Sequence, residues 1–327
     1  MTGSYRAMLV RCLGSPDVLE LADLPRQPLR SGEVRLSVRA AGVNFPDLLQ
    51  VAGEYQHKPP LPFVPGFEAA GEIIETAADV TGWNTGDAVL LRGTGCYAEE
   101  LVAPVNALLP KPADWSWAEA AAFPVCASTA WIALLWRGRL QAGETLLVLG
   151  AGGGTGLAAI TLGVQSGTQV IAVASSAEKR AAAQKAGATL CIDPAVEGWE
   201  KTVQADVVFD PVGGEMFGTA WRALKPGGRW LVVGFAGGAI PRPSANRLLL
   251  KEAELIGVRA GEQARRVPAA AKAMDQGLRD WLVGPSSISG ERGRPLIAGV
   301  YRLEEAAAAL RQLADRKATG KLVLQPR

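Results

Sequence analysis

The sequence predicts an α/β protein of two domains, a β-rich first domain followed by a doubly wound parallel sheet. Three observations carry this. At 327 residues the chain exceeds one small module and has room for two cores. Its composition, 48% hydrophobic and 20% charged, is that of a folded soluble chain. Most directly, the apolar pattern changes character after Ala118, from short alternating runs to continuous apolar runs separated by alanine-rich helical segments.

Element by element, Glu33–Ala40 alternates charged or small residues with Val and Leu, the period of a half-buried strand. A loop rich in Pro and Gly follows, Lys58–Gly66. Gly71–Glu75 and Asp87–Leu91 read as further short strands, with turns at Gly82 and Gly86. These place a β-rich domain at 1–125. Beyond it, Thr145–Leu149, Gln169–Val173, Ala205–Phe209 and Arg229–Val233 are apolar on both faces, as strands of a covered parallel sheet are. The helices between them, Leu157–Ser166, Ala177–Ala186 and Glu215–Leu224, each run on to a glycine stop at Gly167, Gly187 or Gly227. This domain spans 126–262. The tail carries a helix, Leu303–Asp315, and a strand, Lys321–Leu324. No repeat or low-complexity linker interrupts the chain.

Charge and composition exclude several functions. Lys plus Arg (34) and Asp plus Glu (32) nearly balance, which leaves no footprint for nucleic acid or an anionic membrane. The single histidine, His57, removes most His-based metal sites. Cys12, Cys96, Cys126 and Cys191 include no CxxC pair, which points to a reduced, cytoplasmic chain. The first ten residues lack the basic and apolar regions of a signal peptide. Thr145–Ala177 is uncharged and long enough for a membrane span, but its glycines fit a strand, a turn and a buried helix.

That turn is the first chemical motif. Gly150, Ala151, Gly152, Gly153, Gly154, Thr155 and Gly156 follow a strand and open a helix, the setting in which backbone approaches a pyrophosphate. The strict GxGxxG spacing is not met. NAD-preferring domains carry an acid at the tip of the next strand. Here Ser175, Ser176, Lys179 and Arg180 stand there instead, two hydroxyls and two cations suited to a 2′-phosphate, so the expected cofactor is NADPH. The competing reading of the cations is a solvated helix face. Asp210–Gly214, including Val212, and Gly234–Gly238, including Phe235 and Ala236, end the next two strands and would line the nicotinamide half or merely turn the chain.

With these motifs in view the sequence resembles the zinc-independent quinone oxidoreductases of the medium-chain dehydrogenase/reductase superfamily. The resemblance rests on Ala40–Asp47, Val64–Gly71, Gly95–Glu99, Phe123–Trp131, the glycine turn, Asp210–Gly214 and Arg316–Lys321. It implies a GroES-like catalytic domain at 1–125, completed by 263–327, and a Rossmann NADP(H)-binding domain at 126–262, with the active site in the cleft. It adds Thr129 and Lys317 to the cofactor-binding residues. The positions of the zinc ligands in metal-dependent relatives correspond to Asn44, Phe67 and Cys126, a set unable to hold a tetrahedral metal, so metal-free chemistry is expected. By the same resemblance Asn44 and Tyr55 line the cleft and donate to a substrate oxygen, Leu49 replaces a second tyrosine, and Asp47 is a structural partner.

A quinone suits such a site, because hydride uptake yields an aromatic hydroquinone anion that needs no Lewis acid. The expected partner is therefore a small-molecule quinone or similar conjugated carbonyl. An enoyl-thioester or alkenal double-bond reductase shares the pattern, and a non-enzymatic NADPH-binding or structural protein is the alternative of another class. The family also implies a homodimer through an edge strand near Glu254–Val258. Asp193-Pro194 stands where relatives place a tyrosine beside the adenine. His57, the tryptophans 115, 117, 131 and 136, and the arginine pairs 137/139 and 265/266 read as surface or packing residues.

Overall fold

The computed structural model describes residues 3–283 and 293–326. The chain divides into two compact units, Met1–Val125 with Pro295–Arg327, and Cys126–Arg294.

In the first unit an antiparallel hairpin, β1 (Ser4–Val10) and β2 (Leu19–Pro25), precedes a larger sheet. That sheet is built around β3 (Glu33–Val43), which pairs antiparallel with β4 (Glu68–Thr76) and β6 (Glu100–Pro104). Outside β4 lie β5 (Ala88–Arg92) and β7 (Leu108–Pro110). The alternation expected in β3 places Val34, Leu36 and Val38 in the core. Arg35 is buried as well, because its guanidinium pairs with Glu75 at 2.8 Å and reaches Gln27 O at 2.5 Å. The short helix Phe45–Val51 follows β3 directly, capped by Asn44 and Asp47.

The second unit is a six-stranded sheet, all parallel: β8 (Thr145–Leu149), β9 (Gln169–Val173), β10 (Leu190–Ile192), β11 (Ala205–Asp210), β12 (Leu224–Val232) and β13 (Glu254–Gly257). Its spatial order, β10-β9-β8-β11-β12-β13, is that of a doubly wound fold, with the switch between β8 and β11. Strand β8 is buried on both faces, as its uninterrupted apolar run requires. The uncharged stretch from Thr145 is strand, helix Gly154–Gln165 and strand. A different segment, Trp117–Arg137, is the one long and apolar enough to cross a membrane among the described residues; it is a core helix, 72% buried inside the protein.

This unit runs on to Arg294, past the expected end at residue 262. The reason is the helix Pro268–Val283, whose Ala270, Met274, Leu278, Trp281 and Leu282 are buried. Gly277 lies so close to the Trp131 indole that any Cβ there would collide with it. The chain then returns to the first unit through β14 (Ile297–Arg302) and β15 (Lys321–Gln325). There β15 pairs antiparallel with β3, carrying Leu322 and Leu324 into the core around Leu36 and Ile73.

Candidate functional site

In the second unit the loops at the carboxyl ends of β8, β9, β11 and β12 converge. Gly150 turns with φ +61°, and a methyl group on it would lie 2.9 Å from Val212 Cγ2. Gly156 has no room either: its Cβ would sit 2.5 Å from Gly150 O and 2.9 Å from Ala151 Cα, so the helix packs directly on the turn. The helix has Gly153 as N-cap, with no side chain to satisfy its first N–H groups. Gly154, Thr155 and Gly156 supply the amides that an α-helix leaves without internal partners. A bare backbone cradle with a positive dipole end fits a pyrophosphate. Ala151 N–H is spent on Val173 O and Gly153 N–H on Gly150 O, so these two shape the turn.

The loops after β11 and β12 are zipped together. Ala236 N–H donates to Pro211 O at 3.0 Å and Gly237 N–H to Val212 O at 2.7 Å. Asp210, 1% exposed, accepts from Val212 N–H, Gly213 N–H and Trp230 Nε1–H. Burial pushes its carboxyl above the usual range, against the pull of those three donors. Asp210 thus shapes the loop, with both carboxylate oxygens engaged inside it. Val212, Gly234, Phe235 and Ala236 are half-buried beside it.

At the tip of β9, Ser175 is exposed and Ser176 caps the helix Ala177–Lys185, its Oγ accepting Lys179 N–H at 3.2 Å. The Lys179 stem packs on Gly152, so tightly that any Cβ there would collide with it. Arg180 departs from expectation. Its guanidinium pairs with Asp193 at 2.9 Å and donates to Ala174 O, so it braces the loop after β10. Thr129, half-buried, lies in the helix Pro124–Trp131 of the same unit. Lys317 belongs to the first unit, exposed and paired with Asp315 at 3.0 Å.

The first unit holds a buried polar network where substrate residues are expected. Asn44, 6% exposed, has its Oδ1 on Lys321 Nζ at 2.6 Å. Its Nδ2 donates to Glu68 Oε1 at 2.9 Å and to Gly42 O at 3.3 Å. Both amide hydrogens therefore already have acceptors, and only the longer bond is weak enough to exchange. Lys321 donates to Val43 O, Asn44 Oδ1 and Glu68 Oε1, and the other Glu68 oxygen accepts Val125 N–H at 2.7 Å. Gly42 is obligatory here, since a side chain would strike Glu68 Oε1 and Ala121 O. One layer away, Asp47 Oδ2 accepts Asn44 N–H at 2.7 Å and Tyr97 Oη–H at 2.8 Å, while Oδ1 is buried without a partner. Burial pushes the Asp47 carboxyl up to about 7, though Tyr97, the Asn44 amide and Lys321 all pull it down.

Tyr55 and Phe67 form the aromatic part. Both are half-buried, with ring centroids 5.7 Å apart and planes tilted by 58°. Tyr55 N–H and Glu54 N–H both donate to Leu49 O, which fixes the approach of the tyrosine. Phe67 is held between Gly66, at φ +104° against Tyr97, and the anchored Glu68. His57 is exposed; Cys126 is buried, its Sγ 3.6 Å from Thr155 Oγ1. Among the described residues no three His, Cys, Asp or Glu side chains gather to hold a metal ion.

Glu68, Tyr97 and Lys321 had no assigned role in the sequence reading. The available signal was a lysine opening the apolar strand Lys321–Leu324 and an acid inside Val64–Gly71, two charges in runs otherwise destined for burial.

The alcohol dehydrogenase GroES-like domain family matches residues 30–113, and the zinc-binding dehydrogenase family matches residues 154–276. Quinone oxidoreductase-like protein 2 of Bos taurus is 37% identical over 331 residues, covering 98% of this chain and 92% of that protein. The quinone oxidoreductase of Thermus thermophilus, solved also as its complex with NADPH, matches at TM-score 0.83 and 32% identity over 98% of this chain and 99% of that one. A mycobacterial protein solved in complex with NADPH matches at TM-score 0.87 and 28% identity, covering 99% and 100%. Two matched domains and near full-length identity above a third place this chain in the quinone oxidoreductase-like family of the medium-chain dehydrogenase/reductase superfamily, as an oxidoreductase homologous to the quinone oxidoreductases.

Proposed function

We propose that this protein reduces a quinone or similar conjugated carbonyl with NADPH and without zinc. The observation that carries the reading is the side-chain set around Tyr55. A half-buried phenol and the Phe67 ring stand 5.7 Å apart, and the positions matching zinc ligands are Asn44, Phe67 and Cys126. An aromatic pair without a tetrahedral ligand set suits a flat acceptor whose reduced form stabilises its own negative charge. Relatives solved with NADPH support the choice of cofactor.

When bound, NADPH supplies a hydride. The chain's residues do the rest. The amides of Gly154, Thr155 and Gly156 would hold the pyrophosphate, and Ser175, Ser176 and Lys179 the 2′-phosphate. Ser176 keeps its hydroxyl proton to donate, because its N-cap bond uses only an oxygen lone pair. Tyr55 Oη–H donates to an acceptor oxygen, and Asn44 joins it by exchanging the long bond to Gly42 O. Solvent then protonates the hydroquinone anion.

The test is NADPH oxidation by purified protein with an ortho-quinone, a para-quinone and crotonyl-CoA, each repeated with NADH and with a chelator. Quinone turnover that prefers NADPH and ignores the chelator is expected. With Tyr55→Phe, kcat for the quinone should fall about a hundred- to a thousandfold, the scale of one lost oxyanion donor, with the KM for NADPH unmoved. Turnover of crotonyl-CoA alone would make the protein a double-bond reductase. Tight NADPH binding with no turnover would remove it from the enzymes.

A further inference from the structure

We infer that Lys321 is a positioning residue: together with Glu68 it sets the Asn44 amide so that one Nδ2–H is presented to the oxygen of the acceptor. The inference rests on the proposed carbonyl reduction and adds a residue from the far end of the chain. Lys321 and Glu68 side chains are 6% and 0% exposed, and their charged atoms are 2.7 Å apart. A buried pair of this kind is a poor source of stability, since apolar residues in its place often do as well. What it does supply is direction. An amide side chain has two ends of the same shape, and only hydrogen bonding decides which faces where. At Asn44 the ammonium requires the oxygen and the carboxylate requires the nitrogen, so the opposite orientation would oppose both charges.

The same geometry tunes the donor. Lys321 donates to Val43 O, Asn44 Oδ1 and Glu68 Oε1. A cation on the amide oxygen withdraws charge from it and strengthens the N–H groups at the other end. One of those is fixed on Glu68 at 2.9 Å; the other makes only the 3.3 Å bond to Gly42 O. That second hydrogen is the one a substrate oxygen can take over. Lys321 touches no substrate in this arrangement. It acts through Asn44.

Lys321→Met alone would strand the Glu68 charge and endanger folding, so the test removes both charges in Lys321→Met/Glu68→Gln. In that variant either end of the Asn44 amide can face the glutamine, and only the long bond to Gly42 O still favours the original orientation. The kcat for the acceptor should fall about tenfold or more, with the KM for NADPH unchanged, as for a donor needed only in the transition state. In an Asn44→Ala background the same double change should cost nothing further. An unchanged kcat, or a full additional loss without Asn44, would overturn the inference. A crystal structure of the double variant at about 1 Å resolution or better, where amide nitrogen and oxygen can be told apart, reads the claim without turnover: a turned or doubly oriented Asn44 amide supports it, and an unaltered one overturns it. Absence of turnover in the unmodified enzyme would instead sink the carbonyl-reductase reading, leaving the crystal structure to decide the orientation.

Discussion

Asp47 shows how burial, with a smaller push from Glu68, can make one side chain titrate near neutrality. Its Oδ2 serves two functions, as acceptor for the Tyr97 hydroxyl and as cap for Asn44 N–H, and its buried Oδ1 has no hydrogen-bond partner among the described residues. Desolvation raises the carboxyl to about 7, so the folded protein holds this proton where the unfolded chain, with an ordinary value near 3.8, releases it. The folded state therefore binds the extra proton between those two values. Stability from this group is complete at acid pH and is lost as pH rises toward 7. Asp47→Asn keeps a neutral group of the same shape at every pH. Its stability relative to the parent should thus improve between pH 5 and 8, by up to a few kcal/mol at about 1.4 kcal/mol per pKa unit. Urea unfolding of both proteins at the two pH values measures this. A gap between them that does not change with pH would mean that Asp47 is ionised throughout and that its burial is compensated.

At the scale of elements, Gly156 sets two effects against each other. Alanine is the better helix former by about 1 kcal/mol, so propensity alone favours Gly156→Ala in the helix Gly154–Gln165. Its Cβ, however, would meet Gly150 O at 2.5 Å and Ala151 Cα at 2.9 Å, both backbone atoms of the turn that cannot swing aside. Overpacking of this kind costs about 1–3 kcal/mol, so the clash should win. The thermal midpoint is expected to fall, and NADPH affinity, read by fluorescence titration, to weaken about tenfold, the equivalent of 1.4 kcal/mol. A raised midpoint would show that the helix can lift off without harm. This same helix and its strands were the most legible part of the sequence. Thr145–Leu149 and Gln169–Val173 begin and end where the apolar runs do, because a strand buried on both faces must be apolar throughout. The hairpin β1–β2 left no such trace, for residues such as Leu21 remain exposed and the pattern is mixed. The polar network was least legible of all. Lys321 and Glu68 are 253 positions apart, and no local pattern pairs them. Arg180 was ambiguous for a related reason: the sequence shows a cation at the right place, while its partner Asp193 lies past the end of the helix that carries Arg180 and just after β10.

The two edges of the parallel sheet bear on the whole molecule. At one edge β10 is only three residues long, and Asp193-Pro194 follows at once, so this edge is too short to recruit another strand. At the other edge β13 has no strand on its outer side among the described residues, and its Leu255 is 38% exposed. The segment leading to it adds Ile240, Leu249 and Leu250, which are 67, 77 and 79% exposed. Burying one leucine is worth about 1.5–3 kcal/mol, so leaving all of these in water is costly for a lone chain. A two-fold axis beside β13 would bring the edge against its own copy and cover the same leucines on both partners at once. Net charge does not oppose this, at only +2. We therefore expect sedimentation equilibrium to give twice the chain mass at micromolar concentration. Leu249→Glu/Leu250→Glu should shift it to monomer while NADPH titration stays unchanged, since neither residue belongs to the loops that gather around Gly150 and Val212. A monomeric parent protein would refute the homodimer. A double variant that remains dimeric would place the interface on another face and leave these leucines to a different partner.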